Sequence, residues 1–134
     1  VKKQTVSKLK KKVDVIFSKF IRLSNSNSNG LCLCYTCRAV KHWKEIQNGH
    51  YIRRSHNSLR FDVRNCHPQC VGCNMFKQGA SDEYALHLLK DYGPTILDDL
   101  NSEKMKLKSW TISELQELLD YYTIEVNKLL LTRL

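Results

Sequence analysis

Two C-x-x-C pairs, Cys34/Cys37 and Cys70/Cys73, constrain this 134-residue chain more than any other feature. Two thiolate pairs at this spacing close one tetrahedral zinc site. Cys34, Cys37, Cys70 and Cys73 are therefore the expected ligands of a structural zinc ion. The competing use of six cysteines is three disulfides in a secreted protein. Against it, the opening VKKQTVSKLKKK is followed by no uninterrupted apolar run, because Asp14, Ser18, Lys19 and Arg22 break up the pattern. Neither a signal peptide nor a membrane span is expected, which favours zinc in a reducing compartment. Cys32 and Cys66 lie outside the pairs and are expected to be small buried residues.

The formal net charge of +9 is unevenly spread. Residues 1–30 hold eight Lys/Arg against Asp14 alone, and residues 31–80 hold eight against Glu45 and Asp62. Residues 81–134 reverse the balance, with six basic against ten acidic residues. Lys and Arg neutralise phosphates and release condensed counterions, so the first 80 residues point to a polyanionic partner such as DNA. No membrane partner is expected.

Three parts follow from the pattern. In 1–30, Val6, Leu9, Val13, Ile16, Phe20 and Leu23 step by three and four residues along one face of a basic amphipathic helix. SNSNSNG then reads as a flexible connector. Residues 31–80 hold all six cysteines and too little apolar surface to fold without a metal. The expected order there is a knuckle at Cys34–Cys37, a strand near Gly49–Arg53, a second strand near Leu59–Arg64, and a helix starting near Cys70. In 81–134, Ser81 is the expected cap of a helix stopped at Gly93-Pro94, and Thr111 with Glu114 forms a T-x-x-E capping box. Behind that box Ile112, Leu115, Leu119, Tyr122, Val126 and Leu129 form a second apolar stripe. The two stripes can pair within one chain or across a homodimer. The fold class is thus α+β and mostly helical, a small zinc-stapled ββα core flanked by amphipathic helices.

Between and after the cysteine pairs lie His50 at a strand end, Asn65, and Asn74 directly behind Cys73. A neutral imidazole can deprotonate water, and an amide oxygen is a hard ligand suited to magnesium or manganese rather than zinc. At Gly49-His50, Asn65 and NCHPQCVGCNMFK the chain resembles the HNH, or His-Me finger, endonucleases. The longer string GHYIRRSHNSLRFDVRNCHPQCVGCNMFKQG is similar to the NinG (Rap) recombination proteins of lambdoid phages, structure-specific endonucleases that cut branched DNA such as Holliday junctions.

That resemblance implies a general base at His50, a loop-orienting role for Asn65, and a catalytic magnesium or manganese ion on Asn74. It also implies a phage protein acting in the cytoplasm of a bacterial host, beside recombination proteins. Many HNH enzymes carry an acidic metal ligand just before the base histidine, and this chain has Gly49 there. Asp62 or His67 is a candidate to supply the missing ligand. Arg53, Arg54, Arg60, Arg64 and Lys77 are the expected phosphate contacts. The competing readings are an HNH nicking enzyme without junction preference, a non-catalytic zinc module that binds DNA, and an adaptor built on the terminal helices.

Overall fold

The computed structural model describes residues 4–134; residues 1–3, with Lys2 and Lys3 of the basic opening, lie outside it. The described chain is a mixed α/β fold with two small sheets. Helix α1 (Val6–Ser24) is followed by β1 (Leu31–Leu33), β2 (Val40–His42), β3 (Gln47–His50), β4 (Cys66–Gln69), α2 (Ser81–Tyr92), α3 (Ile96–Lys104) and α4 (Ile112–Leu130). No helix among the described residues is long and apolar enough to cross a membrane.

The Thr5 hydroxyl accepts the Lys8 N–H at 3.1 Å and starts α1. The stripe it buries differs from the expected one. Leu9, Val13, Phe17 and Ile21 form the buried ridge, Ile16 and Phe20 flank it, and Val6 is exposed. Leu9, Val13 and Leu23 of the expected stripe are buried, and α4 packs against both rows, with Val126 and Leu129 grouped with Leu23, Ile16 and Phe20. Phe17 and Phe20 meet Tyr122 of α4 with ring centroids 5.0 and 4.9 Å apart. The two sequence stripes therefore pair with each other inside one chain. Helix α4 begins in the expected capping box, with both Thr111 and Glu114 bonds formed.

The SNSNSNG segment departs from its flexible reading. Asn25 Nδ2 donates to Ile21 O at 2.7 Å, Ser26 Oγ to Leu23 O at 2.7 Å, and Asn27 Oδ1 accepts two backbone N–H groups. Short polar side chains satisfy the helix-end carbonyls, so a polar composition here gives a hydrogen-bonded turn.

Strands β1 and β2 pair antiparallel, as do β3 and β4, which set Gly49 opposite His67 and His50 opposite Cys66. The second strand expected near Leu59–Arg64 is instead β4, further along. Residues 59–65 coil, because the N–H groups of Leu59, Asp62 and Asn65 each bond to the carbonyl three residues earlier. Asp62 caps this turn by accepting the Arg64 N–H at 2.9 Å. The helix expected from Cys70 is a π turn, Gly72–Phe76, closed by Lys77 N–H to Gly72 O. Ser81 is the first residue of α2 rather than its cap; Ala80, at φ 46°, holds the cap position without a side-chain bond. Gly93 ends α2 at φ +96°, as expected. Helix α3 has no clear sequence signal and packs Ile96 and Leu100 with Tyr35, Leu59, Tyr84 and Leu88.

His67 belongs to this second core. Tyr84 donates its hydroxyl proton to Gly49 O at 2.7 Å, so it accepts from His67 Nδ1–H at 3.0 Å, and Tyr92 donates to Nε2 at 2.9 Å. Tyr35 stacks on the ring at 4.0 Å. His67 is thus a structural residue, not a ligand beside His50. Burial pushes its pKa down to about 4. A group depressed on folding contributes stability above its unfolded pKa and loses it as pH falls. The expected cost between pH 7.5 and 5.5 is about 1 kcal/mol from His67, with His50 acting in the same direction. Urea unfolding with excess zinc checks this: the His67→Phe variant should show a smaller loss over that interval than the wild type.

Candidate metal centre and cleft

The four paired cysteines converge. Cys34 and Cys37 sit in the turn leaving β1, where Arg38 at φ 66° reverses the chain, and Cys70 and Cys73 follow β4 into the π turn. Their Sγ atoms all lie within 4.8 Å of one another, and Cys37 and Cys70 are 3.7 Å apart. A tetrahedron with ~2.3 Å zinc–sulfur bonds has edges of about 3.8 Å, so this set fits zinc. Burial opposes ionisation of Cys34, but N–H donors from Cys37, Cys70 and Thr36 with the Thr36 hydroxyl outweigh it and bring the thiol down to about 6. Cys32 and Cys66 are buried outside the four, as expected, Cys32 packed beside Cys34 and Cys73 and Cys66 in the core against α1.

Beside this cluster an open cleft of about 920 Å³ runs between α1 and β3. His50, Asn74, Arg53 and Arg54 line it together with Asp14, Arg22 and Asn48. The His50 ring nitrogen Nε2 lies 2.9 Å from the Arg60 carbonyl, which can only accept, so Nε2 carries the proton and Nδ1 is the basic atom. Burial holds the ring's pKa below the usual histidine value, with Asp14 opposing. Asn74 Nδ2 donates to Gln47 Oε1 at 2.8 Å, which leaves its Oδ1 without a protein partner among the described residues. Asn48 Oδ1 is buried and similarly unpartnered, on the same face of β3 as His50.

The other expected site residues lie around the cleft. Asn65 is fully buried behind it; its amide donates to Ile52 O and Leu59 O at 2.8 and 3.3 Å and accepts from Ile52 N–H at 2.8 Å. It thereby pins both ends of the loop from Ile52 to Leu59. Asp62 does not line the cleft, and both its oxygens hold Arg64. Arg60 is gripped by Asp14, Nε to Oδ1 at 2.9 Å with a second bond from Nη2 to Oδ2. Lys77 also falls outside the lining. Sequence reasoning missed Asp14, Arg22 and Asn48. Asp14 had a signal, being the lone acid among the first 30 residues.

Gly49 has a packing cause. A Cβ there would come within 1.9 Å of Gln69 Oε1. Gln69 is fully buried, and its Nε2 donates to Thr36 Oγ1 at 3.1 Å and Gly79 O at 2.8 Å. An acidic side chain at position 49 has no room while Gln69 keeps that place.

The family model described as "Bacteriophage Lambda NinG protein" matches residues 1–130. The chain belongs to the NinG family. Among curated proteins it is similar to "Protein ninG" of Enterobacteria phage H19B and of Salmonella phage P22, each 39% identical over 67 residues. "Protein ninG" of Escherichia phage lambda is 37% identical over the same length. These matches cover 49% of this chain, but only 33% of the H19B protein and 32% of the other two. The chain thus aligns with about a third of the length of these relatives. No solved structure is significantly similar to it.

Zinc on these four thiolates would join the turn after β1 to the π turn, two short segments with no regular ladder between them, so its removal should loosen both. One zinc per chain is expected by elemental analysis. Stripping it with a strong chelator should erase the near-UV circular dichroism while the helical far-UV signal is partly kept; an unchanged near-UV spectrum in verified metal-free protein would contradict this.

Proposed function

We propose that this NinG-family chain is a metal-dependent DNA endonuclease with a zinc-stapled ββα-metal (HNH) core, and that its substrate is branched DNA such as a Holliday junction. The observation that carries the reading is the His50 ring, fixed through Nε2–H to the Arg60 carbonyl in the same cleft as Asn74. That bond leaves Nδ1 free, and burial keeps the ring neutral, the state a general base needs to take a proton from water. Asn65 orients the loop that leads to the Arg60 carbonyl, and in this reading β3, β4 and the π turn would stand for the ββα frame.

The unpartnered oxygens of Asn74 and Asn48 are hard, neutral donors that suit magnesium or manganese. Asn74 would hold the ion; Asp62 is occupied by Arg64. When bound, such an ion supplies positive charge to the phosphorane and to the departing 3′ oxygen. Arg53, Arg54 and Arg22 in the cleft would contact phosphates, with Lys77 outside it, while Arg64 is held by Asp62. Branch preference rests on the family resemblance. A two-fold junction calls for two active sites, so a homodimer belongs to the proposal, along with recombination partners. Because α1 and α4 bury their stripes against each other, its interface would use other surface.

Gln69 filling the space at Gly49 favours a second reading, a zinc module that binds DNA without cutting it. Cleavage of a labelled four-way junction beside matched linear duplex, with and without magnesium, separates the two. Symmetric cuts in the junction are expected, reduced by about 100-fold or more in His50→Ala with zinc content and DNA affinity retained. Binding without cutting would support the zinc module, and loss of zinc in the variant would make His50 structural.

A further inference from the structure

We propose that Asp14, a residue of α1 outside the cysteine-stapled segment, is a positioning residue for His50. The contacts run in series. The Asp14 carboxylate takes both arms of the Arg60 guanidinium, Nε at 2.9 Å and Nη2 on the other oxygen, with Arg54 3.8 Å away. The backbone carbonyl of the same Arg60 accepts the His50 Nε2–H at 2.9 Å. Asp14 thus fixes one end of the residue whose other end fixes the imidazole ring.

Three features separate this from an incidental surface pair. Both side chains are nearly buried, at 14% and 16% exposure, and a bidentate guanidinium–carboxylate pair sets direction as well as distance. The pair joins positions 46 apart in sequence, tying the helix to the Arg60 end of a loop that Asn65 holds at Ile52 and Leu59, Lys10 and Trp110 hold at Asn57, and Ser58 anchors to Glu103 O. Finally, Asp14 is the one carboxylate lining a cleft that carries Arg22, Arg53 and Arg54. A carboxylate repels a phosphate chain, so its place there is explained by the guanidinium it holds and not by contact with a polyanion. Without it, Arg60 is free to turn toward the cleft, its carbonyl relaxes, and the ring loses the acceptor that selects the Nε2–H tautomer.

The consequence for rate rests on the nuclease reading; the consequence for the ring does not. The test uses the full chain with zinc, comparing wild type, Asp14→Asn, Asp14→Glu and Arg60→Lys. Arg60→Lys keeps the charge and loses the fork, and stands in should Asp14→Asn fail to fold. Single-turnover cleavage at saturating junction DNA gives the rate, fluorescence anisotropy the affinity, and ring ¹⁵N shifts the His50 tautomer. Asp14→Asn and Arg60→Lys should slow cleavage by at least about tenfold, with affinity unchanged or tighter. Their His50 ring should shift from Nε2–H to a tautomer mixture, and Asp14→Glu should recover part of both. Wild-type rate and tautomer in Asp14→Asn would overturn the proposal, as would affinity falling in step with rate. Should no form cut any DNA, the nuclease reading fails by itself, and the ring spectra alone decide whether Asp14 positions His50.

Discussion

Convergence of four thiols from two turns is the constraint on which the central segment depends. Strands of three and four residues cannot stand alone in water, and β1–β2 and β3–β4 are separate pairs that share no ladder. The cysteine cluster joins the turn after β1 to the π turn after β4, so one cross-link fixes both. The Tyr35 N–H bond to Pro68 O at 2.7 Å and the Cys70 N–H bond to Cys34 Sγ run alongside it. Asn74 is the residue after Cys73, so whatever holds the thiols also sets where its amide sits. A metal on these thiols would thereby fix one wall of the cleft beside it.

A second constraint comes from polar groups that have no room to err. Asn65 is fully buried and makes three bonds to the loop from Ile52 to Leu59, so a side chain without an amide would leave backbone groups unpaired at about 1–3 kcal/mol each. Gln69 closes the opposite side and fills the space over Gly49. These two amides lie behind the cleft, and neither touches solvent.

The sequence made the cysteine set legible because C-x-x-C spacing is a local property that survives any tertiary arrangement. His50, Asn65 and Asn74 stood out through the resemblance to the HNH pattern, and the structure sets His50 and Asn74 on one cleft with Asn65 buried behind it. Helix ends coded by side chains, Thr111 with Glu114 and Gly93, were equally plain. What stayed hidden was decided across long separations. The second strand was misplaced because Leu59 and Phe61 are apolar at period two, yet they are buried from a coil held by bonds three residues back. The burial of Phe17 depends on Phe61 and Tyr122, the latter more than a hundred positions away. Arg60 and Arg64 looked like free cations, since nothing local showed that Asp14 would reach the first, and the second's neighbour Asp62 was assigned elsewhere.

The helix α1 changes how the cysteine-stapled segment should be regarded. By composition it is a basic arm, and its lysines fit that description. Its one acid, however, enters the cleft and neutralises an inner arginine, while Arg22 of the same helix lines the cleft and donates to Trp43 O at 2.9 Å. Both members of this pair are only partly exposed, so losing one leaves the other a charge with reduced access to water. Helix α1 is held from behind by α4, through Phe17, Phe20 and Tyr122. The terminal helices are therefore part of the wall of the cleft rather than appendages to a self-sufficient central unit. A fragment cut to the cysteine-bearing residues alone would keep the four thiols but lose Asp14, the carboxylate that holds Arg60 beside His50.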